Sequence, residues 1–171
     1  MKIYLAADHT GFEFKKALIE HLQTLGHEPV DCGNTEYDKD DNFPEFIFKA
    51  AEAVSTNPAG RAIIIGGSGQ GEAMAANRLP NVHAVVYYGP AKPITAVDAS
   101  GRQSDNPHEI IVLSRMHNNS NVLSIGARFV SVEEAKTVIN LWLGTDFSGQ
   151  DRYARRIDQI EDYTKKMQEK A

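Results

Sequence analysis

The chain has a single cysteine, Cys32, in 171 residues, so no disulfide can form within it and the fold must rest on burial alone. Long apolar runs are missing as well. No stretch approaches the roughly 18 to 20 apolar residues that a membrane-spanning helix needs, and no membrane association is expected. Basic residues are in deficit, with 18 Lys and Arg against 23 Asp and Glu and a formal net charge of −5. A nucleic-acid partner requires the opposite balance, because Lys and Arg must displace phosphate counterions, so none is expected. The opening MKIYLAADHTG lacks the charged, apolar and small-residue regions of a secretory signal, and a cytoplasmic localisation is expected. Neither an internal repeat nor a low-complexity tract interrupts the chain. Its length is that of one domain, residues 1–171.

What is present is an alternation of short apolar runs with amphipathic stretches. KIYLAAD (2–8), EPVDCG (28–33), RAIIIGG (61–67), VHAVVYY (82–88) and NVLSIGA (121–127) read as strands. Between them, Phe14, Leu18, Leu22 and Leu25 recur at helical spacing ahead of Gly26, a residue suited to ending a helix. A second helix follows Pro44 and stops at the turn TNPAG, and GEAMAANR makes a short third. Ser131 and Glu134 form a capping pair in front of Val132, Ala135, Val138, Ile139 and Trp142. Such alternation predicts an α/β fold, a doubly wound three-layer sandwich around a five-stranded, mostly parallel sheet. Ligands in such sheets bind beyond the carboxyl ends of the strands. Residues 89–107, rich in Gly, Pro, Ser and Asp, stand outside the rhythm as a long excursion.

The carboxyl end of the third strand runs into GGSGQGE, residues 66–72. A phosphate-binding P-loop would need Lys and then Ser or Thr after Gly71, but Glu72 and Ala73 stand there. A dinucleotide fingerprint fails in both registers, since Glu72 or Met74 occupies the third glycine position. Nucleotide binding is therefore disfavoured. The loop can instead point the amides of Gly67, Ser68, Gly69, Gln70 and Gly71 at an oxygen that becomes negative during reaction. Glu72 can then remove a proton from carbon beside a carbonyl, although a first-turn Glu also simply complements its helix dipole.

Asp8 and His9 end the first strand and Arg128 follows the fifth, at the same edge, while His117 with Asn118 stands immediately before the fifth strand in SRMHNNSN. His117 can exchange a proton near neutral pH. At the far end, Arg152, Arg155 and Arg156 crowd the start of a final helix, where positive charge opposes the dipole unless an anion meets it.

Taken together, LAADHTGFEFK, IIIGGSGQGEAMAANR, SRMHNNSNVLSIGAR and RYARRIDQIEDY resemble the family of type B ribose-5-phosphate isomerases and galactose-6-phosphate isomerases. That resemblance implies a flavodoxin-like fold and a dimer or tetramer with active sites at the subunit interface, the C-terminal helix being used in dimerisation. It also implies no metal, no cofactor, and aldose-ketose interconversion of a sugar phosphate through a cis-enediol. By position it assigns Glu72 as the carboxylate base of one branch, the other branch using a cysteine where Gly66 stands here. His117 becomes the proton donor in ring opening, and Asp8, His9, Gly67 to Gly71 and Asn118 become sugar and enediolate contacts. Arg128, Arg152 and Arg156 become phosphate contacts, the last two reaching a neighbouring subunit's site. Phe43 replaces a tyrosine and Tyr153 a histidine common in relatives, and the excursion lengthens the segment before His117. A hexose-6-phosphate isomerase or a non-catalytic sugar-phosphate binder are the alternative readings.

Overall fold

The computed structural model describes residues 1–57 and 59–170. Pro58, within the expected TNPAG turn, lies outside the described residues. The apolar runs form β1 (Lys2–Ala7), β2 (Glu28–Asp31), β3 (Arg61–Gly66), β4 (Ala84–Tyr87) and β5 (Val122–Gly126). Every pairing between them is parallel. Around them lie α1 (Phe12–Thr24), α2 (Phe43–Thr56), α3 (Gln70–Ala76), α4 (Glu109–Met116), α5 (Val132–Leu143) and α6 (Asp151–Gln168). The doubly wound sandwich is as expected. Its strand order is β2-β1-β3-β5-β4, which differs from the 2-1-3-4-5 order of flavodoxin itself by the insertion of β5 between β3 and β4.

Side-chain alternation along the strands divides the core into two layers. Ile63 and Ile65 face one side with Leu18 and Leu22 of α1 and Val138, Ile139 and Trp142 of α5. Ile64 faces the other with Ile47, Ala50 and Val54 of α2 and Ala75 of α3. All but Ala75 are fully buried, and each large aliphatic side chain removed from water in this way contributes roughly 1.5–3 kcal/mol. The Trp142 indole N–H is satisfied by the Ser120 hydroxyl at 2.9 Å.

The local signals act as anticipated where the chemistry is local. Gly26 takes a left-handed φ of 77° at the end of α1. The Ser131 hydroxyl accepts the Glu134 N–H at 3.1 Å. The Glu134 carboxylate, however, accepts the hydroxyl of buried Tyr87. That bond ties α5 to β4.

The excursion is folded against the body. Its base is closed by the Ala91 N–H donating to Pro107 O at 2.7 Å, and it leads directly into α4, a helix that the sequence pattern does not mark. Helix α4 returns the chain from edge strand β4 to interior strand β5. Its last residues are held by buried Arg115, which donates to Thr145 O at 3.0 Å, to Asn119 Oδ1 at 3.1 Å and to Ser120 O. His117, the C-cap of α4, thereby acquires a fixed place. Helix α6 is docked by Glu161, whose carboxylate accepts from Asn81 N–H at 2.9 Å and meets His83 Nε2 at 2.9 Å.

Candidate active site

The chain leaves β1 for β2 on one side and crosses to β3 on the other, so a crevice opens where the carboxyl ends of β1 and β3 lie side by side. A cavity of about 450 Å³ occupies it, lined by Asp8, His9, Gly67, Glu72 and Arg128 among others. Glu72 is 5 % exposed. Burial holds its carboxyl above the ordinary carboxylate value, a backbone hydrogen bond opposes this, and the nearby Asp8 charge adds a smaller upward push.

Position 66 must be glycine for this carboxylate to exist where it does. A Cβ built on Gly66 would overlap Glu72 Oε1 and Cδ and stand 2.7 Å from Oε2. The side chain of residue 72 fills the space that any side chain at 66 would need. The two branches implied by the family resemblance therefore have a steric basis, because a reactive group can enter this point from 66 or from 72 but not from both.

The glycine loop is built into the sheet edge. Gly69 has a φ of 75°, and its carbonyl accepts the hydroxyl of fully buried Ser124 at 2.7 Å. The Gly66 carbonyl accepts Ala127 N–H at 2.8 Å and the Gly67 carbonyl accepts Arg128 N–H at 3.2 Å. With carbonyls turned into the sheet and the first turn of α3 beginning at Gln70, amides at this end lack intrahelical acceptors. Gln70 reaches sideways, its Nε2 lying 3.3 Å from Tyr88 Oη.

Asp8 accepts the Thr10 N–H at 2.9 Å and the Thr10 hydroxyl, capping the turn His9–Gly11. This turn packs so closely that a Cβ on Gly11 would come within 2.6 Å of Ile65. His9 is oriented by Asp41, whose Oδ1 accepts His9 N–H at 3.1 Å and lies 2.7 Å from His9 Nδ1. Asn34 donates to the other oxygen of Asp41 at 2.8 Å. Asp41 and Ser124 are supporting residues that sequence reasoning missed. Asp41 is one of several acids in its loop, and Ser124 is a lone polar residue in an apolar strand. Asp8, His9 and Asp41 bring three ligand-type atoms within 4.8 Å, a closeness the His9–Asp41 hydrogen bond itself accounts for.

The remaining sequence-assigned residues lie elsewhere. His117, Asn118, Arg152 and Arg156 are not in the lining of the Glu72 cavity. His117 stacks on Tyr153, with ring centroids 4.0 Å apart and planes 13° off parallel, and burial lowers its pKa. Arg152 lines a separate cavity at the start of α6, Asn118 a third beside Ile157 and Ile160, and Arg156 is exposed. Thus one chain carries Glu72 and the glycine loop in one cavity, and Arg152, beside the Tyr153 ring that His117 stacks on, in another. Phe43, at the tyrosine position, lines the Glu72 cavity and touches the Gly71 backbone, whose Cβ would lie 3.0 Å from its ring.

This arrangement has close counterparts. The sequence model described as Ribose/Galactose Isomerase matches residues 3–100 and 105–160. The chain belongs to the ribose/galactose isomerase family. Among its relatives, the ribose-5-phosphate isomerase B of Mycobacterium tuberculosis is 36% identical over 163 residues, 95% of this chain and 90% of the relative. That of Escherichia coli is 33% identical over 159 residues, 93% of each chain. The crystal structure of ribose-5-phosphate isomerase B from Mycoplasma genitalium with bound ribulose-5-phosphate superposes with a TM-score of 0.82 at 34% identity, covering 96% of both chains. Among the described residues, no helix is long and apolar enough to cross a membrane.

Proposed function

We propose that this family member interconverts ribose 5-phosphate and ribulose 5-phosphate, with Glu72 as the base, in a site shared by two copies of the chain. The observation that carries the reading is a buried carboxylate beside a glycine loop in one cavity. Glu72 takes the proton from C2 of the open-chain aldose, and the released electron pair forms the C1–C2 double bond of an enediolate. Amides of residues 67–71 stabilise the oxyanion on O1. Return of the proton to C1, with transfer of the O2 proton to O1, gives the ketose and restores the base. Neither metal nor cofactor is required by this proton bookkeeping.

His117 and the guanidinium groups of Arg152 and Arg156 enter from the second copy, His117 to open the sugar ring and the arginines to grip the phosphate with Arg128. Two observations support a homodimer. Glu72 and Arg152 line different cavities of one chain, with His117 stacked on Tyr153 at the second, and α6 leaves Ile160, Tyr163 and Met167 exposed at 60, 64 and 47 %. Of α6, Tyr153 alone is buried, which leaves an apolar face for another copy to cover.

Mixing two inactive variants tests the shared site. Glu72→Gln and His117→Ala homodimers are each expected to be nearly inactive. After subunit exchange, half the dimers are mixed and each has one native site, so activity is expected to return to about a quarter of wild type. No recovery from variants that do exchange would place all the groups within one protomer. Because Glu72 must be ionised to act and its folded pKa lies above 4.5, kcat/KM is expected to fall on acidification through an apparent pKa above 4.5. Full activity down to pH 4.5 would contradict this assignment.

A further inference from the structure

The excursion places a hydrogen-bonded turn beside Arg152 and Tyr153. The Asp98 carboxylate accepts from Ser100 N–H at 2.9 Å, Ser100 hydroxyl at 2.6 Å, Arg102 N–H at 3.3 Å and Arg102 Nε at 3.2 Å. Arg102 reaches on to Glu109 Oε1 at 2.6 Å, and Ser104 donates to the other Glu109 oxygen at 2.7 Å. Glu109 is buried at the start of α4, the helix that ends at His117. The turn is therefore fixed to the element that presents the histidine. It also stands against Arg152, since Asp98 and Ser100 share a cavity of about 280 Å³ with Gln150, Arg152 and Tyr153. The His117 ring feels the charges of Asp98, Arg102, Arg152 and Glu109 together. Part of the excursion, 101–104, falls outside the match to the family.

We infer that the turn Val97–Arg102 is a specificity wall of the composite active site, placed behind Arg152 so that it limits how far from Glu72 the substrate's phosphate can lie. The inference rests on the proposed isomerase reading and adds the basis of its chain-length preference. A phosphate held at Arg152 and a C1–C2 pair held at Glu72 must be spanned by the carbons of the sugar. With the wall in place the span suits a five-carbon aldose phosphate. If the wall recedes, the phosphate can retreat and a sixth carbon can be admitted. Asp98 and Arg102 are positioning residues here, acting through the turn they hold.

The test compares kcat/KM for ribose 5-phosphate and galactose 6-phosphate. Asp98→Ala removes the acceptor on which the turn closes, and Ser100→Gly removes a wall side chain while leaving the Asp98–Arg102 pair intact. The preference for the five-carbon substrate is expected to drop about tenfold or more in Asp98→Ala, the scale on which a pocket discriminates one carbon. A smaller drop is expected in Ser100→Gly, and retention in Asp98→Asn, which keeps an acceptor oxygen for the turn. An unchanged ratio in Asp98→Ala would overturn the wall. If thermal unfolding shows that Asp98→Ala does not fold, Ser100→Gly decides, and an unchanged ratio there has the same force. Wild-type protein inactive on both sugars would instead overturn the isomerase reading itself, so the two failures are distinguishable.

Discussion

Replacing Glu72 by Gln is expected to lower kcat/KM for ribose 5-phosphate by about 10²–10⁴-fold, the usual contribution of a positioned general base. The amide fits the same space and leaves the loop amides in place. The loss is therefore of proton transfer rather than of binding, and kcat is expected to fall far more than KM rises. The same variant carries an opposite effect on stability. Burial and Asp8 raise the folded pKa of Glu72, so the folded state holds this proton more tightly than the unfolded chain does. Wild-type stability then falls as pH rises from the unfolded carboxylate pKa through the raised folded one. Glu72→Gln is expected to have the higher Tm at pH 8, and the difference is expected to shrink on acidification. A variant with near wild-type turnover, or one that is less stable at pH 8 alone, would be inconsistent with a buried catalytic carboxylate.

Gly66→Ala is expected to be almost as damaging although it adds a single methyl group. That methyl would occupy the position of the Glu72 carboxyl. Gly66 sits at the end of central strand β3 with its carbonyl bonded to Ala127 N–H at 2.8 Å, so the backbone has little room to yield. The carboxylate is the part that must move. Displacing a reacting group by about 1 Å costs on the order of 10²-fold in rate. A loss of that size in kcat, with secondary structure retained by circular dichroism, is the expected outcome. Wild-type activity in a folded Gly66→Ala protein would mean that the carboxyl position seen here is not the working one.

These effects were readable in the sequence to different depths. Three isoleucines followed by a glycine loop announce a buried strand ending at a ligand edge, because both signals are local. Gly26, Ser131 and the helix stripes are local in the same way. The insertion of β5 between β3 and β4 is not, since strand order depends on how α4 packs after an irregular stretch. Helix α4 itself was obscured for a related reason: the polar turns of the excursion run up to it, and its eight residues give too short an apolar period to stand out. Asp41 could not be told from its acidic neighbours, because its role comes from a fold that brings it 2.7 Å from a histidine 32 positions away. Tyr153 read as a departure at a histidine position, whereas its ring packs flat on His117. The resemblance implied a neighbouring subunit for the arginines alone, whereas the place of His117 against Tyr153, apart from Glu72, follows from where α4 ends.

Exchange of a substrate proton with solvent reports directly on whether Glu72 carries that proton. Ribose 5-phosphate incubated with the protein in deuterium oxide and followed by proton NMR is expected to incorporate deuterium at the carbon that receives the returned proton. The rate is expected to track turnover in wild type and to collapse in Glu72→Gln. Formation of ribulose 5-phosphate with unreduced exchange in Glu72→Gln, or no exchange and no product in wild type, would contradict the account.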